Sequence, residues 1–189
     1  MTSALAAAST FVNAAQEDDQ VAIVTYASDA TVQQSLSIDV PRIAAAVREI
    51  QIDPAEEQGY TNTGAALRVA AEELSSFRKN PNARRVIVLL TDGLPTAPDR
   101  ESADFRNEVV DVAADIQADA VAIYAIGLGS AVDAEFITQL SGRSDRSYVA
   151  PSASDLAAIY ADITSSICEV APPRVDVFPK TATFIETYE

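Results

Sequence analysis

The 189-residue chain has no histidine, a single cysteine and few basic residues, and each shortage excludes a class of function. Without histidine, the chain supports neither histidine-based acid–base catalysis nor a histidine-ligated zinc site. The cysteine, Cys168, has no partner for an internal disulfide, and we interpret it as a small apolar residue near a helix end. The 13 basic residues face 28 acidic ones, so the net charge of −15 disfavours nucleic acid as a partner.

Long apolar runs are also missing. No run approaches the roughly 20 apolar residues of a transmembrane helix, so we expect no membrane insertion by this segment. The first fifteen residues carry no basic side chain and therefore lack the charged start of a signal peptide. Apolar residues nevertheless make up 48% of the chain, which is enough for the packed core of one domain.

The apolar residues follow strand and helix patterns in alternation. β-Rich apolar runs predict strands at 21–28, 31–38, 84–93, 120–129 and 146–151. Amphipathic spacing predicts helices at 1–15, 39–50, 63–77, 101–118 and 133–140, and a last helix after a Ser-x-x-Asp capping box at 152–155. This alternation predicts a mainly parallel sheet with helices on both faces, to which the first two strands add an antiparallel edge hairpin.

The last stretch, APPRVDVFPKTATFIETYE, differs from the rest because it has three prolines, β-branched residues and no helical period. We therefore expect one α/β domain over residues 1–169. Residues 170–189 are expected to form a linker and the start of a further, β-rich domain.

Two segments place oxygen-bearing side chains at the ends of predicted strands or ahead of a helix. GYTNTGAAL (59–67) offers Thr61, Asn62 and Thr63, and VIVLLTDGLPT (86–96) offers Thr91 and Asp92. Hydroxyls and carboxylates suit a hard cation such as Mg²⁺ or Ca²⁺. The alternative interpretation is structural, because Thr-Asn-Thr also forms helix caps and Asp-Gly is a common turn.

These two motifs, in this order of elements, resemble the von Willebrand factor type A domain. VAIVTYAS, AVAIYAIGLG and SYVAPSASDL fit the same pattern, and the resemblance covers residues 1–169. It implies a Rossmann-like fold and a metal-ion-dependent adhesion site, where the bound divalent cation accepts a carboxylate from a protein partner. The family draws its ligands from an Asp-x-Ser-x-Ser loop after the first strand, a second-loop Thr and a third-loop Asp. By this resemblance the second-loop Thr is Thr61 and the third-loop Asp is Asp92.

The Asp-x-Ser-x-Ser loop has no counterpart in the printed sequence. In many family members that loop is followed directly by Met and the first helix, so the resemblance implies that the chain is truncated just before Met1. We then expect the strands at 21–27 and 86–91 to flank a vacant central position, unless 174–178 or 182–188 fills it. With two ligands for a cation that takes about six, we expect Mg²⁺ (or Ca²⁺ or Mn²⁺) to bind in the complete domain but not to this chain alone.

The resemblance implies a non-enzymatic adhesion module of a larger secreted or cell-surface protein. Its partner would be a protein that presents a carboxylate, and the oligomeric state is left open. One alternative is an intracellular type A domain that works beside a separate ATPase, as in metal chelatases; the chain has no Gly-rich Lys-Ser/Thr phosphate loop of its own. Another is a phosphoacceptor or hydrolase-type α/β enzyme that uses Asp92, although the acidic pairs of the chain do not follow strands.

Overall fold

The computed structural model describes residues 2–16, 19–51, 61–96, 105–129, 132–150, 153–169, 182–183 and 187–188. The helices are α1 (Thr2–Ala14), α2 (Val40–Glu49), α3 (Thr63–Leu74), α4 (Phe105–Ala118), α5 (Ala134–Ser141) and α6 (Ala153–Glu169). The strands are β1 (Val21–Tyr26), β2 (Ala30–Ser37), β3 (Arg85–Thr91), β4 (Val121–Leu128), β5 (Ser147–Ala150), β6 (Ala182–Thr183) and β7 (Thr187–Tyr188).

Local capping groups set the helix ends. Asp39 caps α2 by accepting a hydrogen bond from the Arg42 backbone N–H at 3.1 Å. Gly142 ends α5 with a φ of 66°, a left-handed conformation that favours glycine. Both ends are as predicted, whereas α3 ends at Leu74 and not at the predicted residue 77. The predicted residues 101–104 and the Ser152 of the capping box lie outside the described residues.

The strands form a parallel sheet and an antiparallel hairpin, as the sequence predicts. β3, β4 and β5 are parallel neighbours in that order. β1 and β2 pair antiparallel, from Val21 opposite Ser37 to Tyr26 opposite Ala30.

Helices cover both faces of this strand layer and form a core on each. On one face, α1, α2 and α6 pack against Val86 and Val88 of β3; on the other, α3, α4 and α5 pack against Ile87 and Leu89. β1 also divides its side chains between these cores, with Ile23 in the first and Val24 in the second. Because they share both cores, β1 and β3 lie in one layer.

Within the described residues, β1 and β3 are not paired with each other. This confirms the prediction that the two strands are not direct neighbours in the sheet. Described residues of the C-terminal segment lie near both strands. The C-terminal strands β6 and β7 pair with each other, and each comes within 8 Å, Cα to Cα, of residues in both β1 and β3. Of the two segments considered for this position, 174–178 lies outside the described residues, and the described residues 182–183 and 187–188 of the other come close to both strands.

Candidate functional site

Three loops meet at the carboxyl ends of β1 and β3 and are joined by hydrogen bonds. The Asn62 backbone N–H donates to the Ala27 carbonyl at 2.8 Å, and its side-chain Nδ2 donates to the Ser28 carbonyl at 3.0 Å. The Thr61 backbone N–H donates to Thr96 Oγ1 at 2.7 Å, while the Thr96 backbone N–H donates to the Thr61 carbonyl at 3.0 Å. Thr61 is thus held by the loop that follows β3.

Asn62 serves the start of α3. Its Oδ1 accepts a hydrogen bond from the Ala65 backbone N–H at 3.0 Å, which makes it the N-cap of the helix. The same side chain bridges to the β1 loop, so both ends of its amide are in use. The cap interpretation of the Thr-Asn-Thr motif is therefore correct for Asn62, and it leaves Thr61 as the second-loop ligand candidate.

Asp92 is exposed and directly follows the last residue of β3. The buried Thr91 forms the turn below it, because its Oγ1 donates to the Gly93 carbonyl at 3.0 Å. Thr96, four residues after Asp92, holds Thr61. The structure therefore brings Thr61 and Asp92, the two predicted ligands, to the same edge of the sheet.

Tyr26 also belongs to this edge, although the sequence analysis did not select it. It ends β1, and its phenol donates to the Leu90 carbonyl of β3 at 2.8 Å. Burial raises the pKa of Tyr26 to about 12; the Asp92 charge also raises it, and the nearby Thr91 and Thr63 hydroxyls lower it. The signal available in the sequence was its position, since Tyr26 ends a buried strand just before a loop.

Thr63 contributes a buried hydroxyl, which has no hydrogen-bond partner within the part of the chain that the structure describes. The residue is fully buried at the first turn of α3. An orphaned polar atom beside Thr61 fits a further polar group or ion at this edge. Thr63 is among the oxygen donors predicted from the sequence, whereas its burial was not predicted.

The donor set fits a hard divalent cation in kind but supplies little charge. Thr61, Thr63 and Asp92 offer hydroxyl and carboxylate oxygens, the ligands that Mg²⁺ and Ca²⁺ prefer. Among the described residues, however, no three Asp, Glu, His or Cys side chains cluster in a way that could hold a metal ion. Asp92 is thus the one acidic ligand predicted here.

The sequence profile of the von Willebrand factor type A domain matches residues 1–162. The chain belongs to this family. The match confirms the resemblance and the Rossmann-like α/β fold that it implies. Among curated proteins, none matches the sequence of this type A domain.

Solved structures with the same fold come from proteins of matrices and pili. Proximal thread matrix protein 1 (PTMP1) of the mussel byssus, with a zinc-occupied MIDAS motif, is 21% identical, with a TM-score of 0.71 over 88% of this chain and 40% of that chain. The vWF domain of the type V pili tip protein Mfa5 of Porphyromonas gingivalis is 12% identical, with a TM-score of 0.75 over 94% of this chain and 91% of that chain. The pilus adhesin SpaC of Lactobacillus rhamnosus GG is 16% identical, with a TM-score of 0.68 over 88% of this chain and 28% of that chain. The type A domain thus spans about two fifths of the mussel protein and less of SpaC.

None of the helices in the described part of the chain combines the length and the apolar character that a membrane crossing requires.

Proposed function

We propose that this type A domain is a binding module whose loop edge recognises a carboxylate of a protein ligand through a divalent cation. The observation that carries the proposal is the hydrogen-bonded meeting of the three loops, which holds Thr61 and Asp92 at one edge. Membership of the family and the adhesive neighbours, among them a pilus adhesin, support the same role.

In this proposal Asp92 and Thr61 are ligands of Mg²⁺ or a similar cation. Asp92 supplies the charge and Thr61 a neutral hydroxyl, and the bound cation supplies the positive charge that attracts the ligand's carboxylate. The hydrogen bonds of the Thr61 loop limit its conformational freedom before a cation binds, so binding costs less conformational entropy. One carboxylate competes poorly with the hydration of Mg²⁺, so we expect the full site to need the Asp-x-Ser-x-Ser ligands of the family.

We propose a recognition role and not a catalytic one. The chain has no histidine to transfer a proton at neutral pH. Tyr26 is half-buried, and its raised pKa of about 12 keeps the phenol protonated at neutral pH. Tyr26 therefore suits a structural bridge between β1 and β3 better than the role of a general base.

We further propose that the domain acts at the cell surface or outside the cell, as part of a larger protein. The support comes from its neighbours in fold, a pili tip protein, a pilus adhesin and a byssus matrix protein.

Calorimetric titration with Mg²⁺ tests the metal site. The printed chain would be compared with an extended chain in which a strand ending in Asp-x-Ser-x-Ser precedes Met1. We expect weak or no binding by the printed chain and clear binding by the extended one. In the extended chain, Asp92→Ala should abolish binding and Thr61→Ala should weaken it. Asn62→Ala should reduce the affinity less than Thr61→Ala does, because the Asn62 amide caps the helix and bonds to the Ser28 carbonyl and is not a ligand in this proposal.

Two results would contradict this assignment. One is the absence of Mg²⁺ binding by the extended chain. The other is Mg²⁺ binding of equal strength by the printed chain and its Asp92→Ala variant. A carboxylate-bearing ligand that binds equally well with and without the cation would contradict the recognition mechanism itself.

A further inference from the structure

The feature that prompts a further inference is a cleft at the amino ends of the parallel strands. Its volume is about 580 Å³, and it lies where β3 and β4 begin, next to the turn that precedes β5. The lining residues that the structure describes fall within 81–85, within 117–122 and at 146. Because β3 is seven residues long, the cleft lies about 20 Å from the loop edge that carries Thr61 and Asp92. It is therefore separate from the candidate metal site.

The described lining of this cleft contains three arginines and no acidic residue. The arginines are Arg84, Arg85 and Arg146, and each of them is half-buried. In the whole chain, acidic residues outnumber basic ones by 28 to 13. A described lining with three guanidinium groups and no carboxylate is therefore the reverse of the overall charge balance. We call this cavity the arginine cleft.

Two of these arginines have no counterion within the described ranges of the chain. Neither Arg85 nor Arg146 forms a salt bridge there. Asp145 precedes Arg146 but is bonded to Arg143 at 2.7 Å; that hydrogen bond is the main cause of its lowered pKa, to which the Arg146 charge contributes least. Because a charge partly removed from water requires a counterion, the arginine cleft favours an anion.

Both guanidinium groups are positioned by contacts within the domain. Arg85 Nη2 donates to the Asp119 backbone carbonyl, just after the end of α4. The Arg146 guanidinium lies over the Tyr124 ring, 5.5 Å from the ring centroid. A guanidinium has five N–H donors, so these contacts leave most of the donors of both groups for a ligand. Side chains that are already positioned lose less conformational entropy when a ligand binds.

We propose that the arginine cleft binds the phosphate group of a phosphate monoester. The guanidinium fork matches the geometry of phosphate oxygens. A monoester carries a charge of about −1.5 to −2 at neutral pH, which balances several guanidinium groups better than a single carboxylate does. The cavity volume falls in the range of small-molecule sites, and Ala83, Val121 and Ala122 provide an apolar wall for the organic part of the ester. This proposal does not rest on the metal site.

An NMR titration of the full 189-residue chain with phenyl phosphate tests the ligand class. We expect saturable shifts of the Arg85, Val121 and Arg146 amides, with a Kd of about millimolar order. Benzoate keeps the ring but carries one carboxylate, so it should bind about tenfold more weakly. Inorganic phosphate should shift the same amides with an affinity about threefold lower, because it leaves the apolar wall uncovered. These arms distinguish an ester from an acidic peptide side chain and from the free ion.

Arginine substitutions test the residues. Arg85→Gln/Arg146→Gln should weaken phenyl phosphate binding at least about tenfold, whereas Arg85→Lys/Arg146→Lys keeps the charge, loses the forks and should weaken it about threefold. Slow hydrogen exchange of the Ile126 amide, in the middle of β4, would show that each variant is folded. Arg48→Gln is the matched control, because Arg48 also donates to a backbone carbonyl, that of Ala44, and forms no salt bridge with a described residue. It lies on α2, outside the described lining, and should leave the affinity unchanged.

Four results would overturn the proposal. The first is the absence of saturable shifts at Arg85, Val121 and Arg146, and the second is parent-like affinity in a folded Arg85→Gln/Arg146→Gln variant. Shifts of equal size at Arg48 would reveal general attraction of anions to surface arginines. Benzoate or inorganic phosphate that binds as tightly as phenyl phosphate would assign the cleft to carboxylates or to the free ion, and not to a monoester.

Discussion

The Tyr26→Phe substitution tests how strongly β1 and β3 are joined at the loop edge. It removes the hydroxyl that donates to the Leu90 carbonyl at 2.8 Å and leaves the ring in place. A hydrogen bond of this kind contributes about 1 kcal/mol, and the half-buried Leu90 carbonyl left without its donor adds to the cost, so we expect a loss of about 1–2 kcal/mol. For a domain of this size the corresponding decrease in Tm is about 3–6 °C.

The same substitution should change the response to alkaline pH. The pKa of Tyr26 rises from 10.0 to about 12 in the folded protein, mainly because the phenol is buried. Between these values the unfolded state loses its proton while the folded state keeps it, so the free energy of unfolding falls as pH rises. Phenylalanine has no proton to lose. The stability advantage of the parent chain over Tyr26→Phe should therefore narrow between pH 10 and pH 12.

Urea unfolding monitored by far-UV circular dichroism measures both effects in a chain without tryptophan. Tyr148→Phe is the control at neutral pH, because its phenol donates to Asp162 Oδ2 at 2.8 Å on the surface. We expect the control to lose less than about 0.5 kcal/mol. Equal unfolding midpoints for the parent chain and Tyr26→Phe at neutral pH, or a difference that stays constant to pH 12, would refute the reasoning.

Three further substitutions test individual contacts within the domain. Glu73→Gln breaks a salt bridge and weakens a main-chain hydrogen bond, so it should lower the free energy of unfolding by about 1–3 kcal/mol. Burial opposes the ionisation of Glu73, but these two bonds hold its pKa below the usual value. The variant should therefore lose less stability than the parent chain when the pH is lowered. Gly127→Ala should cost about 1–3 kcal/mol in thermal unfolding, because the added methyl would overlap Val132. Asn62→Ala should cost about 0.5–2 kcal/mol in urea unfolding, because α3 loses its cap. For each substitution, an unfolding midpoint equal to that of the parent chain would contradict the contact on which the prediction rests. For Glu73→Gln, a loss of stability at acid pH as steep as that of the parent chain would do the same.

The sequence alone was sufficient to predict the α/β class, most helix and strand positions and the caps of α2 and α5. These features depend on neighbours within a few residues, as when Asp39 accepts a bond from the Arg42 N–H three positions away. Periodicity reports which face is buried, and a cap needs one side chain at one position. Short motifs also indicated Thr61 and Asp92 as oxygen donors, and the resemblance to the family made them the predicted ligands.

Only the tertiary structure decided which distant groups meet. Tyr26 and Leu90 are 64 residues apart, and Thr61 and Thr96 are 35 apart, so no local pattern predicts either hydrogen bond. The burial of the Thr63 hydroxyl likewise depends on what packs over it, and not on its place in a cap motif. The proximity of β6 and β7 to β1 and β3 follows from the same principle, because those strands lie about a hundred residues away or more along the chain.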